Sequence, residues 1–280
     1  MNDPFAGETS QSDTIDGLYD DAERSLANRN SGTLLETLSL DVTPIGAHYL
    51  LTHFDTPIIS REKHVLRFVG DFDKPFDIPM EELMGLPKVT LPVTLECAGN
   101  GRVGMSPRRH SMPWGYEAVG TSEWTGTLLW PLIDEAKAKR SVVEFSFTGA
   151  DFGYDRGIGH FYGRSLTVDQ AKDLDILLVY EMNGQPLLPQ HGAPLRLIVP
   201  GWYGMASVKW LTDIRALSEP YKGFQQVQTY RYRESVEDLG RPVTEILVKS
   251  LIVPPGVPDF VTRDRCLKAG KVRIEGRAWS

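Results

Sequence analysis

A chain of 280 residues has room for one large domain with extensions. Hydrophobic residues at 41% and charged residues at 24% fit a soluble globular protein, and a net charge of −7 argues against general nucleic-acid binding. Two cysteines, Cys97 and Cys266, are too few for a disulfide framework, and their spacing fits no zinc site. The acidic N-terminus lacks the basic and apolar regions of a signal peptide and no apolar run reaches membrane-spanning length, so the expected location is cytoplasmic, with no membrane partner.

In chain order, residues 1–42 read as a polar, mobile extension with one short helix over 18–28. Runs rich in Val, Ile and aromatics, bounded by Gly or Pro, predict strands over 64–70, 93–97, 142–148, 176–181, 195–199 and 208–214. Helices are expected over 77–85, where Asp77 is the candidate cap, and over 128–140, acidic early and basic late. Thr167-x-x-Gln170 is a capping-box pattern before a short helix, and Asn183-Gly184 a tight turn. Residues 149–163, with five glycines, read as a long loop. The sum is an α+β fold with a mostly β core over 43–225, a linker over 226–268, and the first strand of another sheet in 269–280, where Val272 and Ile274 alternate.

The most informative segment is Val93-Thr-Leu-Glu-Cys-Ala-Gly-Asn-Gly-Arg102, a strand that runs into Cys97 and then two glycines, which permit close approach of a bulky group. Taken alone, a lone cysteine at a strand end is more often buried and inert. Between Cys97 and Glu117 there is no acidic residue, while Arg102, Arg108, Arg109 and His110 are present. Such a patch favours the thiolate and an anionic ligand; the bland alternative is a solvated basic loop.

Three other segments share this character. Pro189-Gln-His-Gly-Ala-Pro-Leu-Arg196 sets His191 and Arg196 around a turn, and Ser207-Val-Lys-Trp210 sets Lys209 beside Trp210. Arg and Lys are the side chains that grip phosphate, although singly each reads as an ordinary loop or surface residue. In 149–163, Asp151 can accept hydrogen bonds from ligand N–H groups and Tyr162 can present a phenol to a reacting oxygen.

Taken in order, Val93-Thr-Leu-Glu-Cys-Ala-Gly-Asn, Tyr180-Glu-Met-Asn-Gly-Gln-Pro-Leu, His191-Gly-Ala-Pro-Leu-Arg, Val199-Pro-Gly and Val208-Lys-Trp-Leu resemble the molybdopterin-binding domain of the sulfite oxidase family over residues 43–225. Gly276-Arg-Ala-Trp-Ser resembles the start of the immunoglobulin-like dimerisation domain that follows in that family; such a domain, where present, pairs two chains. The resemblance implies a molybdenum–molybdopterin cofactor, with Cys97 as the protein's metal ligand and no haem, since no Cys-x-x-Cys-His motif occurs. It assigns Leu51, Thr52, His53, Phe54, Asp55, Asp151, His191, Arg196, Ser207, Val208 and Lys209 to cofactor binding, and Arg102 and Tyr162 to catalysis.

The activity it implies is two-electron oxo transfer, oxidising a small anion, sulfite, to sulfate, with electrons leaving to a separate acceptor such as a cytochrome. Three positions depart from the family pattern. His53-Phe54-Asp55 stands where an Arg-Asn-His run is usual, Gly101 where a second arginine is frequent, and His110 at a pocket lysine. Two other readings stay open: the same cofactor acting on another substrate such as a sulfoxide, and a non-catalytic cofactor-binding or truncated, inactive module.

Overall fold

The computed structural model describes residues 29–107, 111–235, 237–259, 261–262 and 264–280; the helix expected over 18–28 and the basic residues Arg108, Arg109 and His110 lie outside them. Two five-stranded sheets carry the domain. In chain order the strands of the core are β1 (Val65–Gly70), β2 (Phe76–Pro79), β3 (Val89–Glu96), β4 (Val119–Leu128), β5 (Glu144–Asp155), β6 (Ile158–Thr167), β7 (Leu177–Met182), β8 (Gln185–Pro186), β9 (Arg196–Ile198) and β10 (Leu211–Leu217). The first sheet has the order β2-β1-β10-β5-β6, and the second runs β3-β4-β7-β8 with β9 also paired to β7. Because β1 and β10 run parallel while their other neighbours are antiparallel, the first sheet is mixed. The fold is therefore the mostly β, mixed-sheet α+β architecture the sequence predicts, with short helices α1 (Met80–Met84), α2 (Leu129–Ala136) and α3 (Val168–Asp173).

Burial explains the strands. In β1, Leu66 and Phe68 are fully buried while Val65 and Arg67 face out, the period-two pattern of a half-buried strand. Phe68 stacks on Phe76 at 4.5 Å and Phe72 on Phe145 at 5.8 Å, so one aromatic seam ties β1, β2 and β5 together. Each such ring contributes about 2–3 kcal/mol of burial. A second core, formed by Leu95, Cys97, Trp114 and Trp124, lies against the other sheet. Cys97 thus sits at the end of β3 inside packed apolar side chains.

Several expectations shift. The capping box at Thr167 and Gln170 is present and opens α3. Asn183 and Gly184 both take positive φ (51° and 72°), the two-residue turn that joins β7 to β8. Asp77 does not cap a helix: it pairs with Arg67 in β2, and α1 begins only after Pro79, because a residue before proline is driven to extended backbone. The expected helix over 128–140 stops at Ala136, where Lys137 turns left-handed at φ 55°.

The expected loop over 149–163 is instead the β5–β6 hairpin, its ladder continuing through Phe152–Phe161 and Asp155–Ile158. Its glycines concealed the alternation. β4 was not foreseen, because it is built from Thr, Ser and Gly as much as from apolar residues.

The outer segments of the described residues are tied down. In the segment expected to be a mobile extension, Leu38 is buried and the Thr33 hydroxyl donates to the Val119 carbonyl at 2.6 Å. The segment expected to be a linker carries β11 (Arg231–Tyr232), β12 (Arg241–Pro242), β13 (Lys249–Val253), β14 (Val257–Pro258) and β15 (Arg265–Cys266). The last strand, β16 (Glu275–Trp279), begins after Ile274 and is not alone: it pairs antiparallel with β13. This hairpin reaches the core through Glu96, which is fully buried and accepts from Lys249 Nζ at 2.6 Å, Trp279 Nε1 at 2.9 Å and Asn100 Nδ2 at 3.0 Å.

Candidate active site

A cavity opens between the two sheets. Cys97 lies on its wall beside Leu95, His48 and Tyr49, with Asp151, Tyr162, His191, Arg196, Lys209 and Tyr230 around it. Six segments bring these groups together: the stretch 48–53 ahead of β1, the β3 end, the β5–β6 hairpin, the turn into β9, the turn before β10 and Tyr230.

The β3 end delivers Cys97 into a tight turn. Asn100 N donates to Cys97 O at 2.9 Å, and Gly101 takes φ 87°, a left-handed conformation that glycine adopts without a Cβ penalty. The backbone N–H of Gly99 points at Cys97 Sγ at 3.4 Å. Burial nevertheless pushes the thiol pKa up, against the weaker downward pull of Gly99 N–H and Arg102. Apolar packing outweighs the charge of Arg102, and a bound metal would be what removes the proton.

Two cations line the same cavity, Arg196 at the start of β9 and Lys209 just before β10. Arg196, buried, donates from Nη1 to His191 O (2.8 Å) and from Nη2 to Ser207 O (3.1 Å), and its guanidinium lies 4.8 Å from the Trp124 ring centre. Lys209 Nζ donates to Leu51 O (3.0 Å), Thr52 Oγ1 (3.2 Å) and Gln190 O (3.0 Å), so all three of its protons are engaged. Trp210, next in the chain, holds φ 51°, a strained conformation for a bulky residue that costs about 1–3 kcal/mol, and anchors itself through Nε1 to Pro189 O at 2.8 Å. Burial, helped by Arg196, pushes the Lys209 pKa down to about 7. Burial pulls Arg196 down to about 10, which leaves it charged at neutral pH.

The imidazoles stay neutral. Burial takes His48 and His53 down to about 4, and burial with His48, Arg196 and Lys209 nearby takes His191 to about 3. His48 Nδ1 sits 3.0 Å from Tyr49 O, which makes it the protonated nitrogen and leaves Nε2 an acceptor. Asp151 is pushed up to about 6 by burial.

Of the residues singled out from the sequence, Leu51, His53, Cys97, Asp151, Tyr162, His191, Arg196, Ser207 and Lys209 line the cavity. Thr52 reaches it through Lys209. Val208 is buried behind the wall, in the core. Phe54 packs edge-on to His160 at 5.2 Å, and Asp55 is exposed and pairs with Arg29 at 3.4 Å, so neither belongs to the site. Arg102 is not on the cavity wall; its guanidinium lies against Gly99 and donates to Met112 O at 2.8 Å, and it acts on Cys97 through charge. Sequence reasoning missed His48, Tyr49, Gln190, Met205 and Tyr230. Of these, Gln190 lies within the Pro189–Arg196 segment without having been singled out, and nothing local marks the other four.

Three buried polar atoms of this site have no partner within the protein: Asp151 Oδ1, Arg196 Nε and His48 Nε2. Native interiors rarely leave such atoms unpaired, and their convergence on one cavity fits a polar, anionic, multi-donor group. Among the described residues no set of three His, Cys, Asp or Glu is placed to hold a metal, so a metal at Cys97 needs ligands beyond those residues.

Comparison with known proteins supplies the class. The family "Oxidoreductase molybdopterin binding domain" matches residues 53–225, and the chain belongs to it. Sulfite oxidase of Arabidopsis thaliana is 32% identical over 85% of this chain and 64% of its own length. Mitochondrial sulfite oxidase of Rattus norvegicus is 31% identical over 85% and 45%, and the NADH nitrate reductase of Ulva prolifera 34% over 62% and 21%. The chain therefore spans between about a fifth and two thirds of these relatives. In fold it resembles the sulfane dehydrogenase SoxCD of Paracoccus pantotrophus, with a TM-score of 0.67 over 91% of this chain and 69% of that one, at 24% identity. The domain is thus that of a molybdopterin-dependent oxidoreductase of the sulfite oxidase and nitrate reductase family.

Proposed function

We propose that the cavity holds a molybdenum–molybdopterin cofactor with Cys97 as the protein's ligand, and that the chain oxidises sulfite to sulfate. The observation that carries this reading is the convergence of Cys97, Arg196, Lys209 and Asp151, with three unpaired buried polar atoms, on one cavity. When bound, the cofactor supplies two-electron redox chemistry and oxygen transfer. The unpartnered Arg196 Nε–H would donate to its phosphate, and Lys209, whose protons the wall already holds, would attract it by charge. Asp151 would accept from pterin N–H groups, and His48 Nε2 would accept from a further donor. Tyr162, whose hydroxyl donates to Met205 O at 2.8 Å, faces the cavity where a substrate oxygen would sit.

In the overall reaction sulfite gains one oxygen from water and releases two protons and two electrons, which leave to a separate acceptor. A second reading, reduction of a neutral sulfoxide, is favoured by one observation: His53 is a buried, neutral imidazole. Expression in a host that makes the cofactor, followed by molybdenum and pterin analysis, tests the first claim; protein without either would overturn it. Sulfite-dependent ferricyanide reduction, set against nitrate- and sulfoxide-dependent oxidation of a reduced dye, tests the second. Activity with sulfoxide alone, or nitrate alone, replaces sulfite as substrate.

A further inference from the structure

Strand β6 presents His160, Tyr162 and Arg164 on one face, because alternate residues share a side of a sheet. A strap formed by Phe224 and the π-helical turn Gln225–Thr229 crosses that face and ends on Tyr230. Phe224 lies 4.5 Å from the His160 ring, and Gln225 Nε2 is 3.1 Å from His160 Nε2. The Gln225 carbonyl accepts from Arg164 Nη1 at 2.5 Å, from the Thr229 hydroxyl at 3.1 Å and from Tyr230 N at 3.4 Å. Arg164 therefore helps to fix the backbone that carries Tyr230, and its guanidinium sits 5.4 Å from the Tyr230 ring centre. The Tyr230 hydroxyl in turn shares a 2.7 Å hydrogen bond with His53 Nε2.

Arg164 is 2% exposed, its Nε has no partner, and among the described residues no carboxylate forms an ion pair with it. The ionisable groups that bear on it are the phenols of Tyr162, Tyr230 and Tyr221. A buried cation without a counter-ion is expensive and needs a reason. Lys209 and Arg196 are differently placed: their donors are taken up by carbonyls at the end of the cavity where a cofactor phosphate would sit. On the far side of Tyr230, Arg102 and Cys97 also act on the phenol.

We infer that Arg164 is a positioning residue for a small oxoanion, which it holds through Tyr230 at the corner that Tyr230 forms with His53 and Tyr162. It supplies the positive charge that the neutral His53 does not. With His53 Nε2 as the donor to Tyr230, the Tyr230 hydroxyl, polarised by the guanidinium behind its ring, is the direct donor to the anion, while Tyr162, whose proton is held by Met205 O, shapes the corner. This rests on the reading of the cavity as the site of sulfite oxidation and names the group that selects the anion there.

The test is calorimetric titration of sulfate, the unreactive product, into the oxidised, molybdenum-loaded enzyme, in which the cofactor phosphate already occupies Arg196 and Lys209. Arg164→Met is expected to weaken sulfate binding about tenfold and to raise KM for sulfite by a similar factor, with kcat changed less than about threefold. Arg164→Lys is expected to restore most of the affinity, which a merely structural role would not do. Unchanged sulfate affinity in a folded Arg164→Met enzyme overturns the proposal.

Should that variant fail to fold, the wild-type enzyme decides. Sulfate is expected to bind at least about tenfold more tightly than uncharged dimethyl sulfone; equal affinities overturn the proposal. If sulfate binding depends on Arg164 while sulfite is not oxidised with any acceptor, the sulfite reading falls and the role of Arg164 stands. If sulfite is oxidised and Arg164→Met alters nothing, the role of Arg164 falls alone.

Discussion

The two ends of the cavity are built on opposite principles. At the end lined by Arg196 and Lys209, charge lies on the wall itself, each cation held in place by backbone carbonyls. Where His53, Tyr162 and Tyr230 meet, the wall residues are themselves uncharged, and the cation Arg164 is set behind the Tyr230 ring. A wall cation grips a permanent anionic ligand, which suits a phosphate that arrives once and stays. A cation behind phenols attracts an anion without forming a direct ion pair, which suits a substrate that must leave as product. One cavity thus separates retention from turnover.

That separation can be broken experimentally. Cys97→Ser has the largest expected effect: no molybdenum-dependent turnover, with far-UV circular dichroism unchanged; an active, metal-replete variant would remove Cys97 from the metal. Next, Arg196→Met and Lys209→Met are each expected to lower cofactor retention about 10- to 100-fold, the loss of a hydrogen bond to the phosphate or of a charge that attracts it. Molybdenum content per protein reads this directly.

Tyr230→Phe is expected to keep the metal and to lose about tenfold in kcat/KM for sulfite, the scale of one hydrogen bond. If instead Tyr230→Phe empties the site of molybdenum, the two ends do not have separate duties.

The smallest effect is on stability and pH. His48, His53 and His191 are depressed to about 4, about 4 and about 3, so the fold excludes a proton that the unfolded chain accepts. Their contribution is present above about pH 6.5 and is lost as pH falls through about 4. Asp151, raised to about 6, works in the other direction: its contribution is present below about pH 4 and is lost as pH rises through about 6. Three groups against one predict that the melting temperature of cofactor-free protein falls as pH drops from about 6.5 to 4. His191→Gln should flatten that slope and Asp151→Asn should steepen it. A flat profile in the parent protein would show that these groups are open to water.

The same contrast governs what could be read from the sequence. The charged end is made of short local motifs: His191 and Arg196 are five residues apart, and Lys209 and Trp210 are adjacent, so residue type and spacing exposed them. The uncharged end is gathered from residues 53, 162, 164 and 230, which only the pairing of β5 with β6 and the strap across β6 bring together. Nothing local marks Arg164 as buried or Tyr230 as part of a cavity.

In the fold, strands with a clear apolar run, such as β1 and β7, were legible. β4 was not, since its Thr121 and Thr125 side chains are satisfied by Thr94 and Thr90 in β3, partners distant in sequence. Glycines at 149, 153, 157, 159 and 163 suggested a loop because their missing side chains hide the alternation of a hairpin.

The Glu96 clamp bears on where this protein can be cut. The family match ends at residue 225, yet Tyr230, Lys249 and Trp279 all lie beyond it. A fragment ending there would keep every recognisable motif. It would also leave the Glu96 carboxylate in the interior without its ammonium and indole partners, one residue from Cys97, and would uncover the face of β6 that carries Arg164. The boundary of recognition and the boundary of folding fall at different places in this chain, and an expression fragment designed on the first would be unstable at the residue next to its own reactive centre.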